Sequence, residues 1–197
     1  MKKIFFFFLL VVFISCEGGD DFYSPKPRAY FRIDLPEKVY QTYDTSCAYT
    51  FDYPKYSVIL PDFDPKAEPC WVNIFFPRFK ATIHLSYKKV NGNIAGLLKD
   101  SDVLAKKHIV KASGLEEELI MRDSSKVFGL VYNIEGNAAS PMQFYLTDST
   151  QHFVRGSLYF MSRPNGDSLA PVLEFLKQDV QRFVQSLKWK GDREKKK

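Results

Sequence analysis

The 197 residues carry 28 lysines and arginines against 23 acids, a net charge of +5 that is too small to argue for a nucleic-acid partner. Three histidines and three cysteines supply no His-x-His pair and no cysteine cluster, so the chain lacks the spacing of a metal centre. Its ten glycines are dispersed, with neither a G-x-G-x-x-G fingerprint nor a P-loop, and nucleotide binding has no support.

The chain opens with Lys2 and Lys3, followed by an unbroken apolar run from Ile4 to Ile14 that ends at Ser15-Cys16. A charged start, a short apolar stretch and a small residue before a cysteine make up a lipoprotein signal peptide. Eleven apolar residues fall short of the roughly 20 that span a bilayer, so residues 1–15 are predicted to be a removable leader. Phe13 and Ile14 are too bulky for an ordinary small-x-small cleavage triplet, and Phe13 stands where lipoprotein signals usually carry Leu. The expectation is cleavage before Cys16 and acylation of its thiol, with palmitate among the acyl chains. One chain binds a membrane marginally, whereas two or three make a stable anchor. The domain is then held on a membrane of the cell envelope, on the periplasmic side. Removing 15 of 197 residues leaves 182, the length of one domain, and the loss of Lys2 and Lys3 lowers the net charge from +5 to +3.

Residues 16–27 are acidic and punctuated by Gly and Pro, which suits a flexible tether. Residues 28–43 mix aromatics with charges around Pro36 and are predicted to form an extended arm. Alternation in 47–53 and β-rich composition in 56–60 predict two strands, with Pro54 and Pro61 as breaks. Pro61, Pro65 and Pro69 mark an irregular loop, and the strands 71–76 and 81–89 flank a turn at Pro77, a β-hairpin. Ile94, Leu97, Leu98, Ser101, Leu104, Ala105, His108 and Ala112 recur at three- and four-residue steps, which predicts a helix stopped by Gly114. Four short β-prone segments, 115–122, 127–134, 143–147 and 153–161, predict an antiparallel meander. A final helix opens at Asp167-Ser168 with Pro171 in its first turn and an apolar stripe from Val172 to Leu187. The sum is a single α+β domain, residues 28–190, in which two helices cover the hydrophobic face of an antiparallel sheet. A basic tail, 191–197, ends in Lys195-Lys196-Lys197 and reads as solvated. The order of elements loosely resembles PsbP-like domains.

Cys47 and Cys70 remain once Cys16 is lipidated, in a compartment where disulfides persist. Two readings stand: a disulfide, which would add roughly 3 kcal/mol by loop closure, or two separate buried thiols. Asp148, Ser149 and His152 are the residue types of a hydrolytic triad, which makes an envelope hydrolase using Ser149 and His152 the sharpest catalytic alternative. Against it, the chain has no G-x-S-x-G elbow and the three residues crowd one turn, where Asp148 and Ser149 serve as turn formers. Of the other histidines, His84 is expected within a strand and His108 on the apolar side of a helix. Glu116-Glu117-Glu118 reads as a solvated strand edge. Tyr23, Tyr30, Phe31, Tyr40 and Tyr43, interleaved with Arg28, Arg32 and Lys38, have the composition of a partner-binding surface. A small apolar ligand held between sheet and helices is a third reading.

Several segments carry a family resemblance that spans nearly the whole mature chain. They are residues 25–33 (PKPRAYFRI), 70–74 (CWVNI), 83–88 (IHLSYK), 136–149 (GNAASPMQFYLTDS) and 152–160 (HFVRGSLYF), and their shared order resembles the gliding-motility lipoprotein family GldD of Bacteroidetes. The resemblance implies a membrane-anchored accessory or assembly factor for gliding, a machinery tied to type IX secretion. It implies partners among the other gliding or secretion proteins of the envelope, with no enzymatic role and no cofactor. The functional residue it carries over is the lipidated Cys16.

Overall fold

A computed structural model of the chain describes residues 32–109 and 112–191. The leader, Cys16, the tether, the start of the arm and the terminal lysines lie outside the described residues. In chain order the elements are β1 (Tyr40–Tyr43), β2 (Tyr49–Pro54), β3 (Val58–Pro61), β4 (Val72–Phe76), β5 (Ala81–Lys89), α1 (Ile94–Lys106), β6 (Ala112–Arg122), β7 (Val127–Gly136), β8 (Met142–Thr147), β9 (His152–Phe160), α2 (Gly166–Ser186) and β10 (Lys188–Trp189). Strands β3 to β9 build a seven-stranded sheet in the order β3-β4-β5-β9-β8-β7-β6, and every pairing in it is antiparallel. A small second sheet has the order β1-β2-β10. The class is therefore α+β, an antiparallel sheet with two helices.

Both long hairpins turn in the same way. Pro77–Phe79 between β4 and β5, and Asp123–Ser125 between β6 and β7, each form one 3-10 turn closed by a lysine in the left-handed region, Lys80 at φ 47° and Lys126 at φ 50°. Pro54 and Pro61, expected as breaks, are the last residues of β2 and β3. A strand end or an edge strand is where a residue without an N–H does least damage.

Alternation along the strands sorts side chains onto two faces. Ile83 pairs with Leu158, and Phe144 with Gly156, on one face, while His84 pairs with Ser157, and Tyr145 with Arg155, on the other. Helix α2 lies on the first face and buries Val172, Phe175, Leu176, Val180, Phe183 and Val184. The small sheet joins it there: Phe183 sits 4.6 Å from Phe51 and 5.2 Å from Phe144, ring centre to ring centre. Gly156 makes this possible, because a Cβ there would meet the Phe144 ring at 2.1 Å. Each large side chain buried in this layer stabilises by about 1.5–3 kcal/mol.

The helices do not share one face, as the apolar patterning had suggested. Helix α1 packs on the other face, where Ser101 and Ala105 are its buried residues. It is also shorter than its period implied. The helix ends at Lys106, the His108 N–H bonds back to the Ala105 carbonyl at 3.1 Å, and Ala112 and Gly114 belong to β6. Pairing of Ala112 with Gly136 and of Gly114 with Glu135 takes these residues for the sheet, which overrides the local helical period. His108 is thus a turn residue. Helix α2 starts one residue before Asp167, at Gly166, and its cap is Asn165, whose side chain accepts from the Ser168 N–H at 3.2 Å.

Candidate functional site

Residues 44–48 and the Pro-rich loop before β4 meet at a disulfide between Cys47 and Cys70, with Cα atoms 5.6 Å apart. The Tyr49 hydroxyl donates to the Cys70 carbonyl at 2.7 Å, and Tyr49 stacks between Tyr87 and Phe51. The bridge ties the segment leading into β2 to the segment leading into β4, and β2 begins at Tyr49 and not at Cys47, because residues 45–48 form bends.

The arm is built inward. Asp179 of α2, 3% exposed, is an ion-pair partner of Lys38 at 2.7 Å and accepts from the hydroxyls of Tyr40, at 3.0 Å, and Tyr56. Lys38 Nζ also donates to the Phe175 carbonyl at 2.7 Å and lies 3.4 Å above the Phe175 ring. Burial first, and then the Asp179 carboxylate, push both phenols upward, so they stay protonated donors. Burial also lowers the Lys38 ammonium, an effect that Asp179 partly offsets. Tyr43 stacks on Phe51 at 4.8 Å. Lys38, Tyr40 and Tyr43 therefore pin the arm to the core and do not present the outward binding surface that their composition suggested. Arg28, Tyr23, Tyr30 and Phe31 lie outside the described residues.

Asp148 and His152 do come together, but through the backbone. The Asp148 carboxylate accepts the N–H groups of Thr150, Gln151 and His152 at 3.0, 2.8 and 2.8 Å. Burial raises the Asp148 carboxyl, but these three donors outweigh it and hold the group below its ordinary value. Ser149 sits in the left-handed region at φ 68°, with its N–H on Thr147 Oγ1 at 2.9 Å. The His152 ring is buried, with Nδ1 2.9 Å from the Tyr87 hydroxyl and its face stacked on Trp189 at 5.2 Å. This is the geometry of a braced β-turn: Asp148 orients peptide N–H groups and not the imidazole.

Two contacts have no sequence signature. The Arg122 guanidinium, at the end of β6, donates to the carbonyls of Val184, Gln185 and Leu187, capping the C-terminus of α2 with a cation. The Trp189 indole donates to the Lys126 carbonyl at 2.9 Å, which seats β10 beside β2. Both partners are more than 60 residues apart, and no local pattern announces such a pair.

Beneath α1, the polar face of the sheet borders a cleft of about 330 Å³ that includes Arg155, Ser157 and Trp71. No group of three or more His, Cys, Asp or Glu side chains capable of holding a metal occurs among the described residues. No helix among them is long and apolar enough to cross a membrane. Fold and geometry together define the class as a disulfide-bridged α+β domain with an apolar layer on one side of its sheet and, on the other, a cleft that combines polar groups with an apolar wall.

The family model described as "Gliding motility lipoprotein GldD" matches residues 20–189, and the chain belongs to that family. It is accordingly an envelope-associated lipoprotein of gliding motility. Among solved structures it is similar to cyanobacterial PsbP (CyanoP) from Synechocystis sp. PCC 6803, at 12% identity and a TM-score of 0.48, over 84% of this chain and 99% of that one. No curated protein matches it.

Proposed function

We propose that this protein is a non-enzymatic accessory or assembly factor of the gliding apparatus and of the type IX secretion machinery linked to it. In this reading Cys16 is acylated after removal of residues 1–15, residues 16–27 form the tether, and the domain works from the periplasmic side of a membrane. The observation that carries the reading is the family match over residues 20–189, joined to an apolar leader that ends at Ser15-Cys16. Use of Asp148 to brace a turn and seating of the His152 ring against Tyr87 and Trp189 favour it over the hydrolase alternative. Confinement to a membrane raises the effective concentration of a binding module for its neighbours, so modest contacts suffice. Leu119 and Met121, 65% and 64% exposed on the edge strand β6, suit contact with such neighbours.

The test is crosslinking of the native lipoprotein in membranes, followed by pull-down and mass spectrometry, beside a Cys16→Ala control. Motility or secretion proteins should be recovered with the anchored form and lost with the control. A Cys16→Ala protein that stays free in the periplasm and supports full gliding would sink the reading.

A further inference from the structure

The face of the sheet beneath α1 holds a charge that no described residue compensates. Arg155 lies in the middle of β9 with β5 and β8 on either side, and its side chain is largely buried between the sheet and the helix. One of its hydrogen-bond partners is a neutral oxygen, the Gln143 amide carbonyl. Among the described residues no carboxylate forms an ion pair with it. Burial pulls the guanidinium below the ordinary arginine value, and the groups that pull the other way are the phenols of Tyr159 and Tyr132. Taking a guanidinium out of water without an anion is unfavourable. Gln143 adds to the deficit, because it is 1% exposed and its Nε2 has no acceptor.

Arg155 borders the cleft of about 330 Å³, at the lower end of the roughly 300–1,000 Å³ typical of small-molecule sites. Polar groups are gathered on its sheet side, where Ser157 adjoins Arg155, and Ser101 faces them from α1. His84, Ser86 and Lys88 complete the sheet side, with Lys88 paired to Glu68, and the apolar part of the wall includes Trp71, Leu97, Leu104 and Phe153. Asp62 and Asp100 also border the cleft, but Asp100 is exposed on α1 and Asp62 is half-buried in the loop after β3, and neither pairs with Arg155. Arg155 shares a rung of the sheet with Ser86 and lies next to Ser157, and a cation set among hydroxyls against an apolar wall is the arrangement that recognises an amphiphile with an anionic head.

We propose that this cleft binds a small amphiphilic carboxylate, with its head on the Arg155 guanidinium and its apolar chain against Trp71, Leu97, Leu104 and Phe153. A carboxylate fits better than a neutral head because the guanidinium fork can bind both of its oxygens at once. The proposal is independent of the scaffold reading, since ligand binding is measured on the isolated protein with no partner present.

The experiment uses the mature chain carrying Cys16→Ala, which needs no detergent, titrated with octanoate, 1-octanol and acetate and followed by amide chemical shifts. Octanoate should saturate with shifts concentrated in α1, β5 and β9, at least ten-fold more tightly than octanol, and acetate should bind more weakly still. Arg155→Gln should erase the preference for octanoate over octanol. Leu97→Trp, which fills the apolar slot, should weaken both. Equal affinities for octanoate and octanol in the parent chain would mean that Arg155 is merely hydrated through the mouth of the cleft, and would overturn the proposal even if Arg155→Gln failed to fold. No octanoate binding at millimolar concentration, shifts centred elsewhere, or a preference that survives Arg155→Gln would overturn it as well.

Discussion

The two faces of the seven-stranded sheet are made of alternate residues of the same strands, yet they are built to different specifications. On the α2 face, the rung that runs Val72, Leu85, Gly156, Phe144 and Val131 is apolar from β4 to β7, and α2 with the small sheet closes over it. On the α1 face, the neighbouring rung runs Asn73, His84, Ser157, Gln143 and Tyr132, polar at every step. Helix α1 covers only part of that face, and Leu119 and Met121 at its β6 end stay exposed. One face stores stability. The other keeps a cleft with a mixed lining and open apolar surface, features of the kind that ligands and partners use.

The sharpest way to break the contrast is to truncate one large side chain on each side. Phe183→Ala removes a ring packed between Phe51 and Phe144 and should cost about 3–5 kcal/mol. Leu104→Ala, at a position 39% exposed on α1, should cost under about 1 kcal/mol. Urea denaturation of both variants checks the pair, and similar losses would show that the two faces are equally tight.

A smaller effect is expected where a charge enters the α2 layer. Asp179→Ala leaves the Lys38 ammonium half-buried without its carboxylate and strands the hydroxyls of Tyr40 and Tyr56. Since Lys38 keeps some contact with water, the expected loss is about 2–3 kcal/mol, below that of a fully buried pair. Faster hydrogen exchange in β1 than in β8 would place the damage at the arm.

The smallest effect belongs to the turn at Asp148. Its carboxyl is depressed in the folded state, so the stability it contributes is whole above the unfolded carboxylate value and is lost as pH falls through the folded value. Asp148→Asn should flatten that acid limb and leave stability at pH 7 lower by about 1 kcal/mol or less. Thermal melts from pH 2 to 7 on the two proteins test the sign, and a steeper acid limb in the variant would contradict it.

How far each element was legible in the sequence follows from the range of the interaction that specifies it. The hairpin around Pro77, the four strands from β6 to β9 and the stripe of α2 are written in alternation, turn residues and helical period, which act within a few residues. The end of α1 was not legible, because residues up to Ala112 satisfy a helical period and only pairing with β7 decides that Ala112 and Gly114 are strand. The strand at Lys188–Trp189 is too short to stand out before β2 and the Lys126 carbonyl are brought beside it.

The sequence by itself determined the class, an α+β domain, since composition and periodicity decide which stretches can bury a face. Tertiary structure alone decided which face each helix took, that Lys38 would find Asp179, that Arg122 would cap α2, and that Arg155 would lie under α1 with no ion-pair partner among the described residues. These are pairings between residues far apart in the chain, and a one-dimensional pattern carries no distance between them until the sheet has set its register.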